Sequence, residues 1–180
     1  MTLSAGDNLV EGNPKSPVRV VIYEDLQCPD CAHFRKMMDE HLLPKYGARV
    51  AFEHRDFPLP RHNWARPAAV AARFFEQAKP ELGVRFRRET MEKLRQIKTD
   101  QLSHHVAAFA KANGLDSTKA IASLQDPKLN DLVDKDYQEG VARGVGKTPT
   151  VFVEQEPFIE TFTIEEISAG IARALKEAGR

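Results

Sequence analysis

Cysteine is scarce in this chain: Cys28 and Cys31 are the only two among 180 residues. A closed structural zinc site needs four ligands, and no second cysteine pair is there to supply them. None of the histidines, His33, His41, His54, His62, His104 and His105, has zinc-finger spacing from Cys31. A charge excess of either sign is also lacking. Twenty-six basic residues balance 26 acidic ones, so the net charge points to neither nucleic acid nor an anionic membrane. No run approaches the ~18–20 apolar residues of a membrane span, and membrane insertion is not expected. There is no internal repeat and no low-complexity stretch. Residues Met1 to Asp7 lack both the basic and the apolar region of a signal peptide. The protein is expected in the cytoplasm if Met1 opens the complete precursor. It is expected in the periplasm, or otherwise outside the cytoplasm, if a leader has been removed. Two thiols fit either compartment.

What the chain does have is 42% hydrophobic residues, enough for a core in one domain or in one domain carrying a large insertion. Its two cysteines stand together as Cys28-Pro29-Asp30-Cys31, after an apolar run that includes Val18, Val20, Val21, Ile22 and Tyr23. A thiol on the first turn of a helix meets unpaired backbone N–H groups and the positive end of the dipole, which favour the thiolate. The second cysteine, three residues on, shares its helical face and lies within the ~4.4–6.8 Å Cα separation of a disulfide. The motif reads first as a redox pair. It can also be read as part of a metal site, or as a static disulfide that would close only a tiny loop and restrain the unfolded chain little.

Residues 1–17 are polar and hold Gly12, Pro14 and Pro17, the marks of a loose lead-in. Val18–Tyr23 is a β-branched strand. The helix from Pro29 places Phe34, Met37, Met38 and Leu42 on one stripe and is expected to break near Pro44 and Gly47. Val50, Phe52 and His54 alternate in a second strand closed by Pro58 and Pro60, giving a β-α-β crossover with parallel strands. From about Trp64 to Arg143 the pattern stays helical, with Gly114 as a helix C′ residue. A hairpin is expected at Thr150–Val153 and Phe158–Phe162. Thr163 to Glu166 then forms a capping box that opens a last helix with Ile164, Ile167, Ile171 and Leu175 on one side.

Cys28-Pro29-Asp30-Cys31 after a strand, Arg55-Asp56-Phe57-Pro58-Leu59 after the second, and Gly144-Val145 leading into Thr148-Pro149-Thr150-Val151-Phe152-Val153 together resemble the DsbA-like thioredoxin-fold thiol:disulfide oxidoreductases of bacteria. The resemblance runs from about Val18 to Leu175. It implies an α/β thioredoxin fold built from residues 18–63 and 144–180, with residues 64–143 as an inserted helical subdomain and 1–17 as the lead-in. It also implies catalytic Cys28 and Cys31, with Thr148 and a cis Pro149 lying against them. A turn of that kind beside a strand edge would leave the Thr148 backbone free to pair with an extended substrate peptide. An ordinary trans proline opening a strand is the plain alternative.

Gly144-Val145-Gly146-Lys147-Thr148 is not a phosphate loop. The pattern needs glycine five positions before Gly146, where Val141 stands, and Pro149 blocks the helix that must follow. Three departures from the family pattern stand out. Ile22 occupies the position six before the first cysteine, often a buried carboxylate. Glu24, two residues on, is read as a solvated strand-end charge rather than a proton relay. Asp30 stands where strongly oxidising relatives carry histidine, and Lys147 stands where glycine is frequent, either solvated or near the sulfurs. His33, His104 and His105 are read as surface or boundary residues, and Arg85, Arg87 and Arg88 as a solvated helix face.

The leading expectation is thiol–disulfide exchange with cysteine-containing protein substrates. An accessible Cys28 would form the mixed disulfide and a buried Cys31 would resolve it, while a redox partner protein recycles the enzyme. Neither cofactor nor metal is required, and a monomer suffices. The rival expectation is a metal carrier or sensor using Cys28, Cys31 and His33.

Overall fold

The structure is a computed structural model and describes residues 8–179. The β-branched segment expected after Pro17 forms β2 (Arg19–Glu24), and the next alternating run forms β3 (Ala51–Asp56). They pair in parallel, with Val20 opposite Phe52, Ile22 opposite His54 and Glu24 opposite Asp56. The helical crossover between them makes this pairing possible. It begins as α1 (Pro29–Met37), widens into a π turn over Met38–Leu42, and ends as α2 (Leu43–Tyr46). The break expected near Pro44 and Gly47 falls at Gly47, and Pro44 itself is carried within the helix. Proline has no N–H to donate and its ring crowds the carbonyl four residues back; the wider turn relieves both, and the helix runs on to Gly47.

The loose lead-in expected over residues 1–17 is corrected in its described part; residues 1–7 lie outside the described residues. Leu9 and Val10 are buried, and β1 (Val10–Gly12) pairs antiparallel with β3. Three residues are too few to display a period, and charged Glu11 in their midst hides the strand. Gly12 adopts φ +82°, and a Cβ there would stand 2.4 Å from the Val50 carbonyl oxygen, so the tight approach requires glycine.

Between β3 and the next strand the described chain is helical: α3 (Ala65–Ala78), α4 (Pro80–Glu92), α5 (Leu102–Ala112), α6 (Ser117–Ser123) and α7 (Pro127–Ala142). Gly114 has φ +71°, as a C′ residue requires. The hairpin follows as β4 (Thr150–Val153) and β5 (Glu156–Ile159), with β5 earlier than expected. Pro157 is tolerated because β5 is an edge strand. The capping box at Thr163 and Glu166 is present and opens α8 (Ile164–Ala178). The sheet order is β1-β3-β2-β4-β5, with β4 antiparallel to β2.

Of the four apolar clusters that result among the described residues, the two largest frame the cysteine pair. One packs Val20, Ile22 and Phe52 of the sheet against Phe34 and Met38 of the crossover and Ile167 and Ile171 of α8. The other is built by α3 to α6 around Phe75, Phe86, Val106 and Phe109, and it reaches across to include Cys28 and Cys31. The cysteine pair thus lies where the helical layer meets the sheet.

Candidate redox site

Cys28 is the N-cap of α1, with extended backbone, and Pro29 is the first helical residue. Both cysteines are free thiols. Exposure was expected to separate them, with Cys28 accessible and Cys31 buried. In fact Cys28 keeps 3% of its surface and Cys31 1%. Proton affinity separates them instead. The adjacent Cys31 thiol, the Thr148 side chain, and the N–H groups of Cys31 and Asp30 outweigh burial and lower Cys28 from an ordinary 9.0 to about 6. Burial, followed by the neighbouring Cys28 sulfur, drives Cys31 well above its ordinary value. An inner thiol that keeps its proton beside an outer one that sheds it is the arrangement sequential thiol–disulfide exchange uses.

Thr148 lies across from the pair. Its carbonyl accepts the Cys28 thiol at 3.4 Å, and the Thr148–Pro149 bond is cis. The expectation of an outward-facing Thr148 backbone meets a residue that is buried, with its carbonyl directed at sulfur. Its hydroxyl is buried without a hydrogen-bond partner, which leaves it available to a Cys28 thiolate. Lys147 does not approach as a free charge: it is ion-paired with Glu160 at 2.7 Å. His33 is exposed on α1 while the two sulfurs are buried. Among the described residues no cluster of three or more His, Cys, Asp or Glu is arranged to hold a metal.

Two expectations about charge are overturned. Glu24 is no solvated strand-end group. It shares strand parity with Val20 and Ile22, so its side chain points into the protein, where it meets His54 Nδ1 at 3.0 Å and Arg87 at 3.2 Å. Arg87 does not belong to a solvated face. Arg85 is exposed, but Arg87 is buried against Glu24, Asp56 (2.8 Å) and Glu76 (2.7 Å). His54 Nε2 in turn reaches Glu11 at 2.9 Å, and Glu11 pairs with Arg35 of α1. Arg73 joins Asp56 to Asp136 of α7. A buried chain of alternating charge therefore ties β1, β2 and β3 to α1, α3, α4 and α7. His104 is exposed, whereas His105 is buried on the Thr90 hydroxyl at 2.9 Å.

Burial alone would depress His54, but the charges and hydrogen bonds of Glu24 and Glu11 outweigh it and hold the imidazole at about 9. A folded value above the unfolded ~6.5 means this contribution is complete below pH ~6.5 and is lost as pH rises through about 9. Stability is expected to fall by about 3 kcal/mol across that interval. Urea unfolding at pH 6, 7.5 and 9 checks this, and a His54→Gln protein should lose most of that slope.

Residues not anticipated as part of the site complete it. Asp25 is buried; its N–H donates to Cys31 Sγ at 3.4 Å and its carbonyl accepts the Cys28 N–H at 3.0 Å. Its carboxylate accepts the N–H groups of Gln27 and Leu59, both at 2.7 Å, and meets His62 Nδ1 at 2.7 Å. Gln27 accepts the Trp64 N–H at 2.8 Å, and Trp64 packs in the core containing both cysteines. The available signal was an acid three residues before Cys28, with a histidine soon after Pro58 and Pro60.

Comparison with known proteins places this geometry. A family model described as Thioredoxin matches residues 4–173. Wolbachia pipientis alpha-DsbA1 superposes with a TM-score of 0.83 at 19% identity, covering 98% of this chain and 94% of that one. BdbD from Bacillus subtilis gives 0.78 at 23% identity over 94% and 93% of the two chains. Chlamydia trachomatis DsbA gives 0.75 at 18% identity over 95% and 93%. In sequence, a Na(+)/H(+) antiporter NhaA of Herminiimonas arsenicoxydans is 29% identical over 152 residues, 81% of this chain and 22% of that protein. NhaA 1 of Mycolicibacterium gilvum is 31% identical over 176 residues, 95% of this chain and 26% of that protein. The chain thus spans about a quarter of the length of these curated relatives. No helix among the described residues is long and apolar enough to cross a membrane. Its fold matches that of DsbA proteins of several bacteria, and with the family model covering nearly its whole length the chain belongs to the thioredoxin family.

Proposed function

We propose that this chain is a thiol–disulfide oxidoreductase acting on cysteine-containing proteins. The observation that carries the reading is the split in proton affinity between Cys28 and Cys31 at the head of α1. Cys28 forms the mixed disulfide and Cys31 resolves it. Thr148 and Pro149 form the wall against which the substrate backbone docks, and residues 64–143 act as a helical insert closing the opposite side. A second redox protein returns the pair to its starting state. Ion transport, named for the antiporter relatives, is not part of this reading, which concerns only the stretch of those proteins that the chain matches.

The reading is tested by equilibrating the protein in glutathione buffers and following turnover of a dithiol peptide. A Cys28 value of about 6 lies between the ~3.5 of the strongest oxidant in this family and the ~7 of thioredoxin. The potential is therefore expected between about −120 and about −270 mV. Asp30, exposed in the first turn, places a negative charge near the Cys28 sulfur and opposes its thiolate. Asp30→His should stabilise the reduced form and shift the potential toward the oxidising end. A wild-type value at either extreme, or no shift in the variant, counts against the electrostatic account. Absence of any reversible Cys28–Cys31 couple removes the function.

A further inference from the structure

The wall assigned above to substrate docking carries a charge pair that disulfide exchange itself does not use. Glu160, the residue after β5, has φ +61°, a left-handed conformation that glycine adopts freely and a residue with a Cβ only at a cost. Its backbone N–H donates to the Pro149 carbonyl at 2.8 Å, and its carboxylate accepts Lys147 Nζ at 2.7 Å. Thr150 Oγ1 donates to the Lys147 carbonyl, also at 2.7 Å. The tripeptide Lys147-Thr148-Pro149 is thus held at both ends by backbone acceptors. Glycine at position 160 would relieve the backbone and keep the N–H bond; only a longer acidic side chain reaches the lysine. The ion pair therefore has an effect to be sought apart from the placing of the wall.

That effect is on charge at the rim. The Lys147 side chain is 63% exposed and that of Glu160 29%, whereas Thr148 between the wall and the sulfur is buried. An extended peptide paired with the Thr148 backbone must pass Lys147, its neighbour along the chain. A lone lysine at that place attracts an acidic substrate residue and repels a basic one, and a lone glutamate does the reverse. At 2.7 Å each charge cancels the field of the other over the distance of a side-chain contact.

We propose that the Lys147–Glu160 pair determines the charge selectivity of the site: it keeps the docking wall neutral, so that cysteines flanked by acidic, neutral or basic residues are all accepted. This rests on the exchange reaction proposed above and names its substrate class, extended protein segments chosen by backbone and thiol rather than by flanking charge. Each member of the pair is a latent filter. Without Glu160 the wall selects acidic segments through Lys147, and without Lys147 it selects basic ones through Glu160. Glu160 is the specificity-determining member, because its left-handed backbone is what brings the carboxylate to the lysine.

The test uses single-cysteine peptides with Glu or Lys at one of the three positions on either side of the cysteine. Each is supplied as its mixed disulfide with 5-thio-2-nitrobenzoate, whose coloured thiolate leaves when Cys28 of the reduced protein attacks the peptide sulfur. The quantity read is the ratio of second-order rate constants for the Glu and Lys peptides, in which a general loss of activity or of folded protein cancels. Glu160→Gln is expected to raise that ratio about three- to tenfold at the positions that pass Lys147, and Lys147→Met to lower it by a similar factor. The double variant and wild type should agree within about twofold at every position. Sodium chloride at about 0.5 M should shrink both single-variant shifts. Glu156→Gln, which frees Arg173 at the far end of β5 and changes net charge equally, should leave the ratio as in wild type. Single variants that shift the ratio not at all or in the same direction overturn the proposal. So does a wild type as selective as Glu160→Gln, or a shift in Glu156→Gln of the same size. The oxidoreductase reading fails separately if Cys28→Ser releases the coloured thiolate from every peptide as fast as wild type.

Discussion

Cys31→Ser is expected to accumulate stable mixed disulfides through Cys28, and Cys28→Ser to lose disulfide turnover down to the uncatalysed rate. The size of the effect follows from the thiol chemistry. Lowering a thiol from 9.0 to about 6 raises its thiolate fraction at pH 7 roughly ninety-fold. Intrinsic nucleophilicity falls with basicity and takes back about twenty-fold. The net gain is only about fourfold at pH 7, but about thirtyfold at pH 5.5, where an ordinary thiol is almost wholly protonated. The advantage of Cys28 is therefore largest in acid, and the low value also makes its sulfur a good leaving group. Alkylation of the reduced protein should mark Cys28 first, with a rate rising through pH 6 and levelling off above it. Cys31, enclosed and strongly proton-binding, should react slowly until alkaline pH. Preferential labelling of Cys31, or activity retained in Cys28→Ser, reverses the assignment.

The largest stability effect is expected from Arg87→Met. The guanidinium is 1% exposed and is shared by Glu24, Asp56 and Glu76, each of them also buried. Asp56 is held at about 2: burial works against its ionised form, and the charges of Arg73 and Arg87 prevail. Removing Arg87 leaves those carboxylates short of a counter-charge in a medium that cannot solvate them. The loss from breaking a buried network in this way is about 3–5 kcal/mol. For a chain of this length that lowers the melting temperature by about 10 °C. Arg85→Met, two residues away on the exposed side of α4, should change stability by no more than about 0.5 kcal/mol. Urea unfolding of the two variants makes the comparison directly; equal and small losses would show that the network contributes little.

Local chemistry made one half of the site legible in the amino-acid sequence. A Cys-x-x-Cys at a strand-to-helix junction and a Thr-Pro before a strand are defined by neighbours along the chain, so the redox motif and the cis Thr148–Pro149 bond could be anticipated. The same holds for the parallel β2–β3 pair, the helical stretch before β4 and the capping box at Thr163, each marked by periodicity or by residues within one turn. Tertiary structure decided the rest. Glu11, Glu24, Asp25 and Arg87 carry charge, and a charge in isolation reads as solvated because an unpaired buried ion is so costly. Their partners lie 24, 30, 37 and 63 residues away along the chain, in Arg35, His54, His62 and Glu24 respectively. Pairing of β2 with β3 brings Glu24 to His54 and Asp25 to His62, and packing of α1 and α4 on the sheet brings Arg35 to Glu11 and Arg87 to Glu24. Hydrogen bonds from Cys31, Thr148 and the first N–H groups of α1 then lower Cys28, while burial and the Cys28 sulfur raise Cys31, although exposure scarcely distinguishes the two.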